Sequence, residues 1–146
     1  MVNARLKGKN GEELVQKFLQ ENTPYKFERT PGSGNGLIKG DLYIPKYKNV
    51  YCIEVKNYAE SPFDDKIFTN KTNKLSEWWI KLQVDCKGVQ KPLLFYRYNR
   101  SKLFVVTSEK PKYVEKYIDI SWLNCYIMLS DEWIKKEDIK WLNLPH

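Results

Sequence analysis

Histidine is almost missing from this sequence. The chain of 146 residues has one, His146, at its last position, where order is least expected. Ser-His-Asp and Cys-His sites are therefore not expected. Nor are histidine-dependent nuclease sites or His-rich zinc sites. Any hydrolysis would have to run on carboxylates, lysine and a bound metal. Cysteine is scarce as well. Cys52, Cys86 and Cys125 are odd in number, widely spaced and form no CxxC pair. Neither a disulfide framework nor a zinc site is expected, and buried free thiols are. No run of about 18 apolar residues occurs, so no membrane span is expected. The opening "MVNARLKGKNGEEL" lacks the apolar stretch of a signal peptide. Together these absences suggest an intracellular protein, cytoplasmic or nucleoid-associated, or a viral protein in a host cytoplasm.

What is present is a core and a charge. Hydrophobic residues make up 42%, with five Trp and ten Tyr. The net charge is +7, and the basic residues are spread along the chain rather than gathered in a tail. A folded basic surface suits a polyanion, most simply nucleic acid. No repeat, linker or low-complexity tract interrupts the sequence, so residues 1–146 are expected to form one domain.

Periodicity outlines the elements. Asn10 and Glu13 resemble a capping box, opening a helix with Leu14, Val15, Phe18 and Leu19 on its apolar face. Asn22 and Pro24 end it. A strand is expected over Tyr25–Thr30, then the loop "PGSGNGLIKG", in which four of ten residues are glycine. Strands follow at Asp41–Pro45 and Val50–Lys56, and residues Glu60–Lys71 read as irregular. A second helix over about Thr72–Lys87 carries Leu75, Trp78, Trp79, Leu82 and Cys86 at helical spacing, with both tryptophans expected in the core. Pro92–Tyr98 and Lys102–Thr107 form a hairpin. A short helix near Pro111–Tyr117, a strand "CYIML" and a last helix from Ser130 complete the expectation. The order helix, three strands, helix, strands predicts a mixed α/β layer with a central sheet flanked by helices.

The segment Gly40–Tyr58 carries the chemistry. Side chains alternate across a strand. A four-residue loop, Lys46–Asn49, puts Leu42 opposite Ile53, Ile44 opposite Tyr51 and Asp41 opposite Glu54. One face is then apolar and the other bears Asp41, Glu54 and Lys56. A one-residue slip would mix the faces. Like charges directly opposite are destabilising and raise one pKa unless a cation shares the site. Two readings fit equally. The face holds a hard divalent cation on oxygen ligands, or it is a paired Asp–Lys–Glu cluster on a wet sheet.

These residues, with the glutamates of the first helix, resemble the active site of the PD-(D/E)XK nuclease superfamily. Within it the chain is most similar to the small Holliday junction resolvases of archaea and phages. The resemblance covers about Lys7 to Thr107 and leaves residues 108–146 as a C-terminal elaboration. It rests on "IEVK", on "PGSGNG" upstream and on Asp41 in a paired strand. Gly40 stands where the superfamily has its proline. The resemblance implies a restriction-endonuclease-like core, and metal-dependent hydrolysis of DNA phosphodiesters to a 5′-phosphate and a 3′-hydroxyl. Asp41, Glu54 and the Val55 carbonyl would hold Mg²⁺ or Mn²⁺. Lys56 would orient or deprotonate the attacking water or steady the phosphorane. Ser33, in the glycine loop, would assist. On a helical wheel Glu12 can reach around toward the sheet, while Glu13 points away. Glu12 therefore takes the family role of helping to hold a metal or a metal-bound water.

DNA would be held by Arg5, Lys7 and Lys9 before the first helix, Arg29 and Lys39 beside the glycine loop, and Lys71 and Lys74 at the start of the second helix. Recognition would be of shape, through phosphates. Symmetric cutting of two strands would need a homodimer. The competing readings are a restriction-type or nicking endonuclease with the same site, a non-catalytic nucleic-acid-binding module, and a basic domain for an acidic protein partner.

Overall fold

The computed structural model describes residues 4–31 and 40–144, with side chains from Lys7 onward. Arg5's side chain, Ser33 and Lys39 lie outside that description. In chain order the elements are α1 (Ala4–Asn22), β1 (Glu28–Arg29), β2 (Leu42–Tyr43), β3 (Tyr51–Tyr58), α2 (Lys74–Cys86), β4 (Lys91–Tyr98), β5 (Phe104–Thr107), β6 (Ile118–Ile120), β7 (Cys125–Leu129) and α3 (Ser130–Lys136). The seven strands form one sheet in the order β1-β2-β3-β4-β5-β7-β6. β3 and β4 are parallel, with α2 as their crossover; every other pair is antiparallel.

Both faces of the sheet are covered. On one side α1 and α3 pack Val15, Leu19 and Trp133 against Ile53, Val55, Leu93 and Phe95. On the other, α2 packs Leu75, Trp79 and Leu82 against Cys52, Leu94, Tyr96 and Val106. The expected charged face of β3 is thus apolar at Cys52 and becomes polar only from Glu54 onward. All three cysteines are free and buried, as expected. Trp79 is fully buried and donates from Nε1 to the Leu123 carbonyl at 3.0 Å. Trp78 is partly buried against the same cluster.

The first helix differs from the expectation. It starts at Ala4, so Asn10 lies in its interior and caps nothing. Glu13 pairs with Lys9 at 3.9 Å on the exposed side, and Leu14 is also exposed. The residues against the sheet are Gly11, Val15 and Leu19, each a full turn apart. Gly8 and Gly11 each cost a helix about 1 kcal/mol, but burying Val15 and Leu19 returns about 1.5–3 kcal/mol each. Packing therefore carries the helix through a stretch that looks like a start signal. Gly11 also allows close contact, because a Cβ there would sit 2.8 Å from Asn57 Cβ.

Other boundaries moved less. The strand expected at Tyr25–Thr30 is reduced to Glu28–Arg29, and that at Asp41–Pro45 to Leu42–Tyr43. The third runs from Tyr51 to Tyr58, two residues past Lys56. α2 begins at Lys74, with Asn73 capping it through a reciprocal pair of bonds to Ser76. The strand Cys125–Leu129 and the helix from Ser130 are where the sequence put them; the β4–β5 hairpin forms too, with β4 starting one residue earlier, at Lys91, and β5 two later, at Phe104. Pro111–Tyr117 is not helical. Its backbone N–H groups at Lys112, Tyr113 and Val114 donate instead to the Glu137 carboxylate at 2.7–2.8 Å.

Candidate active site

The β2–β3 register is the expected one, with Leu42 paired to Ile53. A side chain holds the loop. Asn49 accepts the Ile44 N–H at 2.8 Å and donates back to the Ile44 carbonyl at 2.9 Å. It takes the place of a strand partner where β2 has already ended.

Asp41 sits just before β2 and is clamped from both sides. Its N–H donates to the Ile53 carbonyl at 2.6 Å, and its carbonyl accepts from the Thr30 N–H at 3.0 Å. Gly40 precedes it with φ +86°. Proline cannot adopt that angle, because its ring fixes φ near about −65°. The departure from the superfamily's name has a conformational cause: the chain turns into β2 through the left-handed region. A Cβ at Gly40 would also run into the Ile53 carbonyl.

Among the described residues the Asp41 carboxylate accepts one bond, from the Val55 N–H to Oδ2 at 2.8 Å. In an extended strand the N–H and C=O of one residue point to the same side. The Val55 carbonyl is therefore directed to the side on which Asp41 lies. Glu54 meets Lys56 Nζ at 3.5 Å. Lys81 and Asp85 of α2 flank it. Burial, then the neighbouring Glu54, pushes the Asp41 carboxyl up from 3.8 to about 7; the Val55 N–H and Lys56 offset only part of this. Burial also raises Glu54, against the pull of Lys56. The acids together hold more negative charge than their surroundings neutralise.

Glu12 opens onto the same space from α1 and adds to the pressure on Asp41. Its carboxylate is turned to Arg29 Nε at 3.3 Å. Among the described residues no three carboxylate, cysteine or histidine side chains form a group that could hold a metal ion. The structure therefore brings Asp41, Glu54 and Lys56 together, with Glu12 at the rim and committed to Arg29. The donor set of two carboxylates and a strand carbonyl is all oxygen and carries excess charge. That chemistry fits a hard divalent cation better than a soft one.

These groups line an open cleft of about 750 Å³. Lys7 also lines it, and its Nζ donates to Asn99 Oδ1 at 2.7 Å. Of the other expected DNA contacts, Lys9 is paired to Glu13 on the exposed side of α1. Lys71 is exposed before α2. Lys74 lies 3.6 Å from Glu77 and above the Tyr58 ring. Sequence reasoning missed Asn57 and Tyr58, which extend β3 into the cleft wall, and Asn99 at the end of β4. The alternation that identified Glu54 and Lys56 would have reached Tyr58 had the strand been carried two residues further. It also missed Lys81 and Asp85, whose spacing from Lys74 and Trp78 places them on one face of α2.

The chain has recognisable relatives. Protein D14 of Escherichia phage T5 is 34% identical over 120 residues, covering 75% of this chain and 74% of the phage protein. Among solved structures, Hjc of Archaeoglobus fulgidus, a Holliday junction resolvase, aligns with a TM-score of 0.46 and 14% identity, over 91% of this chain and 92% of that one. The family described as "Phage putative PDDEXK endonuclease" matches residues 3–142, and the chain belongs to that family.

Proposed function

We propose that this protein is a divalent-metal-dependent DNA endonuclease selective for branched DNA, a four-way junction being its expected substrate. One observation carries the metal-dependent reading. Asp41 and Glu54 lie together at one open cleft, where burial raises both carboxyls and Glu54 adds to the pressure on Asp41. A structural cluster would be balanced by its own lysine. The junction substrate rests on the sequence resemblance described above.

Each residue then has a role. Asp41, Glu54 and the Val55 carbonyl hold Mg²⁺ or Mn²⁺, and the Val55 N–H fixes the Asp41 carboxylate in place. Held there, such an ion would lower the pKa of a water and screen charge on the phosphate. Lys56, kept in position by Glu54 at 3.5 Å, orients the attacking group and donates to the phosphate as charge grows on it. Glu12 moves from Arg29 to the site when substrate and ion are present, leaving Arg29 for a phosphate. Lys7 binds DNA at the cleft, and Arg5, Lys9, Lys39, Lys71 and Lys74 extend the basic surface, with Ser33 assisting from the glycine loop. A homodimer supplies the second active site. Residues 1–146 act as one domain, which is supported by a single sheet that runs from Glu28 to Leu129. Among the described residues no helix is long and apolar enough to cross a membrane; an intracellular or viral nuclease is proposed.

The test is a cleavage assay on a four-way junction, linear duplex and single strand, with Mg²⁺ or EDTA, beside Asp41→Asn and Glu54→Gln. Junction cleavage that needs the ion and both carboxylates is expected. Equal cutting of all three substrates would sink the junction reading. Metal-independent cutting, or full activity in Asp41→Asn, would sink the site. Binding without cleavage would favour the non-catalytic module.

A further inference from the structure

Tyr58 is a large aromatic residue left partly in water, 39% exposed, at the wall of the cleft. By alternation it lies on the same side of β3 as Glu54 and Lys56. Four residues at about 3.3 Å each set it about 13 Å along the strand from Glu54. That is a few stacked nucleotides at about 3.4 Å apiece.

The ring is backed rather than loose. Trp78 meets it edge-on at 5.4 Å between centroids, and Trp78 in turn leans on the buried Tyr96 at 6.3 Å. Lys74 Nζ sits 5.9 Å from the ring centroid. An ordinary surface tyrosine has neither a rigid aromatic support nor a cation above it. The arrangement is a flat π surface held in place, beside the Lys74 cation, which also meets Glu77 at 3.6 Å, at the wall of a cleft lined by Lys7 and Lys56 as well as by Glu12, Asp41, Glu54 and Glu60.

We infer that Tyr58 is a substrate-selecting residue, against which an unpaired base of the DNA stacks while Lys74 swings from the ring to the adjoining phosphate. Stacking on an aromatic ring is tolerant of sequence, because every base has a π face. Intact duplex offers no such base, since its bases are already stacked on each other. The ring therefore discriminates between DNA that offers an unpaired base, as at a fork or a frayed end, and plain duplex. A ring fixed by Trp78 loses little freedom on binding. The inference deepens the nuclease reading and rests on it for its place beside the catalytic cleft.

The experiment measures binding in EDTA, so it does not depend on cleavage. Fluorescence anisotropy is read for a forked duplex with unpaired arms and for the same sequence fully paired. Tyr58→Leu, which keeps apolar bulk against Trp78, is expected to weaken forked DNA about tenfold and leave duplex binding unchanged. Tyr58→Phe should bind forked DNA like the parent. Equal loss on both DNAs, or Phe failing as Leu does, would overturn the inference. A 2-aminopurine base in the unpaired arm gives a direct signal that needs no variant. Its fluorescence should fall on binding to the parent chain, and an unchanged signal would also overturn it. Failure of the nuclease reading shows elsewhere, as absent cleavage in Mg²⁺, with the tyrosine's effect on forked binding intact.

Discussion

At the start of β3, the Glu137 carboxylate accepts three successive backbone N–H bonds from Lys112, Tyr113 and Val114. Towards the other end of the same strand, Asp41 accepts one among the described residues, and lies beside Glu54 in the cleft. The same functional group has opposite fates. Burial pushes Glu137 up, but its three donors outweigh it and hold the group below its ordinary value. Burial and a neighbouring carboxylate drive Asp41 up to about 7. A carboxylate with all its partners built in stitches the chain together and can do little else. A pair left short of partners can accept something from outside. That is the physical distinction between a structural acid and a candidate ligand, and this chain's mixed, restriction-endonuclease-like fold holds both.

The largest break in that comparison is the removal of one acid from the pair. A metal site contributes several kcal/mol to the transition state, so Asp41→Asn should slow cleavage by about a thousandfold or more, measured under single-turnover conditions. Glu137→Gln should leave the rate per folded molecule unchanged. In calorimetry, Mg²⁺ at a hundredfold over its dissociation constant should stabilise the parent by about 2.7 kcal/mol and Asp41→Asn not at all.

The two ends should also answer to pH with opposite signs. Asp41 has its folded pKa raised, so its contribution is fully present below about pH 4 and is lost as pH rises toward about 7. At about 1.4 kcal/mol per unit, the loss reaches at most about 4 kcal/mol, shared with Glu54 as a coupled pair. Glu137 has its folded pKa lowered, so its contribution is present above about pH 4.5 and is lost as pH falls below that. Urea unfolding in EDTA at pH 5 and pH 7.5 isolates the first window. Stability of the parent should fall across it, and Asp41→Asn should flatten the fall. A parent that gains stability from pH 5 to 7.5 would show that the pair is already neutralised from within.

Which of these sites could be read in the sequence follows from how local their causes are. The Leu42–Ile53 register was legible because a short loop and a period of two fix it within that stretch. The path of the Glu137 nest was not. Pro111–Tyr117 looks like a short helix by itself, and only a carboxylate some two dozen residues away holds its N–H groups in another shape. The start of α1 was misplaced for a related reason. Asn10 and Glu13 carry a good local cap signal, but Gly11 against Asn57 decides the matter in three dimensions. Glu12 was placed on the correct side of the helix, yet its pairing with Arg29 could not be seen without knowing where β1 runs.

Gly11 supplies the next test. An alanine there gains about 1 kcal/mol of helix propensity, but its Cβ would meet Asn57 Cβ at 2.8 Å and Val55 Cγ1 at 3.5 Å. Neither is the far end of a flexible chain, and overpacking costs about 1–3 kcal/mol. A net loss of about 1 kcal/mol is expected for Gly11→Ala. Cleavage should fall as well, because Asn57 and Glu12 line the cleft. Gly8→Ala is the control in the same helix, with nothing within 4 Å of the added carbon. It should hold or raise the melting temperature. If both variants behave alike in thermal unfolding, α1 is not seated on β3 through Gly11.

The most local effect belongs to Glu137. Glu137→Gln keeps the length of the side chain but turns one acceptor oxygen into a donor. At least one of the N–H groups of Lys112, Tyr113 and Val114 then loses its partner. Hydrogen bonds to a charged group are worth about 1.5–3 kcal/mol, and the carboxylate is partly open to water, which weakens them. A cost of about 1–2 kcal/mol is therefore expected at pH 7. It should shrink as the pH falls from about 4.5 through the lower pKa of the folded group, where the parent's own carboxylate takes up its proton. Hydrogen exchange sharpens the result. The three amides should lose protection in the variant while those of β3 near Glu54 keep theirs. Loss of protection at both ends of the strand would mean that the two carboxylate regions are one cooperative unit, and that the contrast between them is local chemistry without local stability.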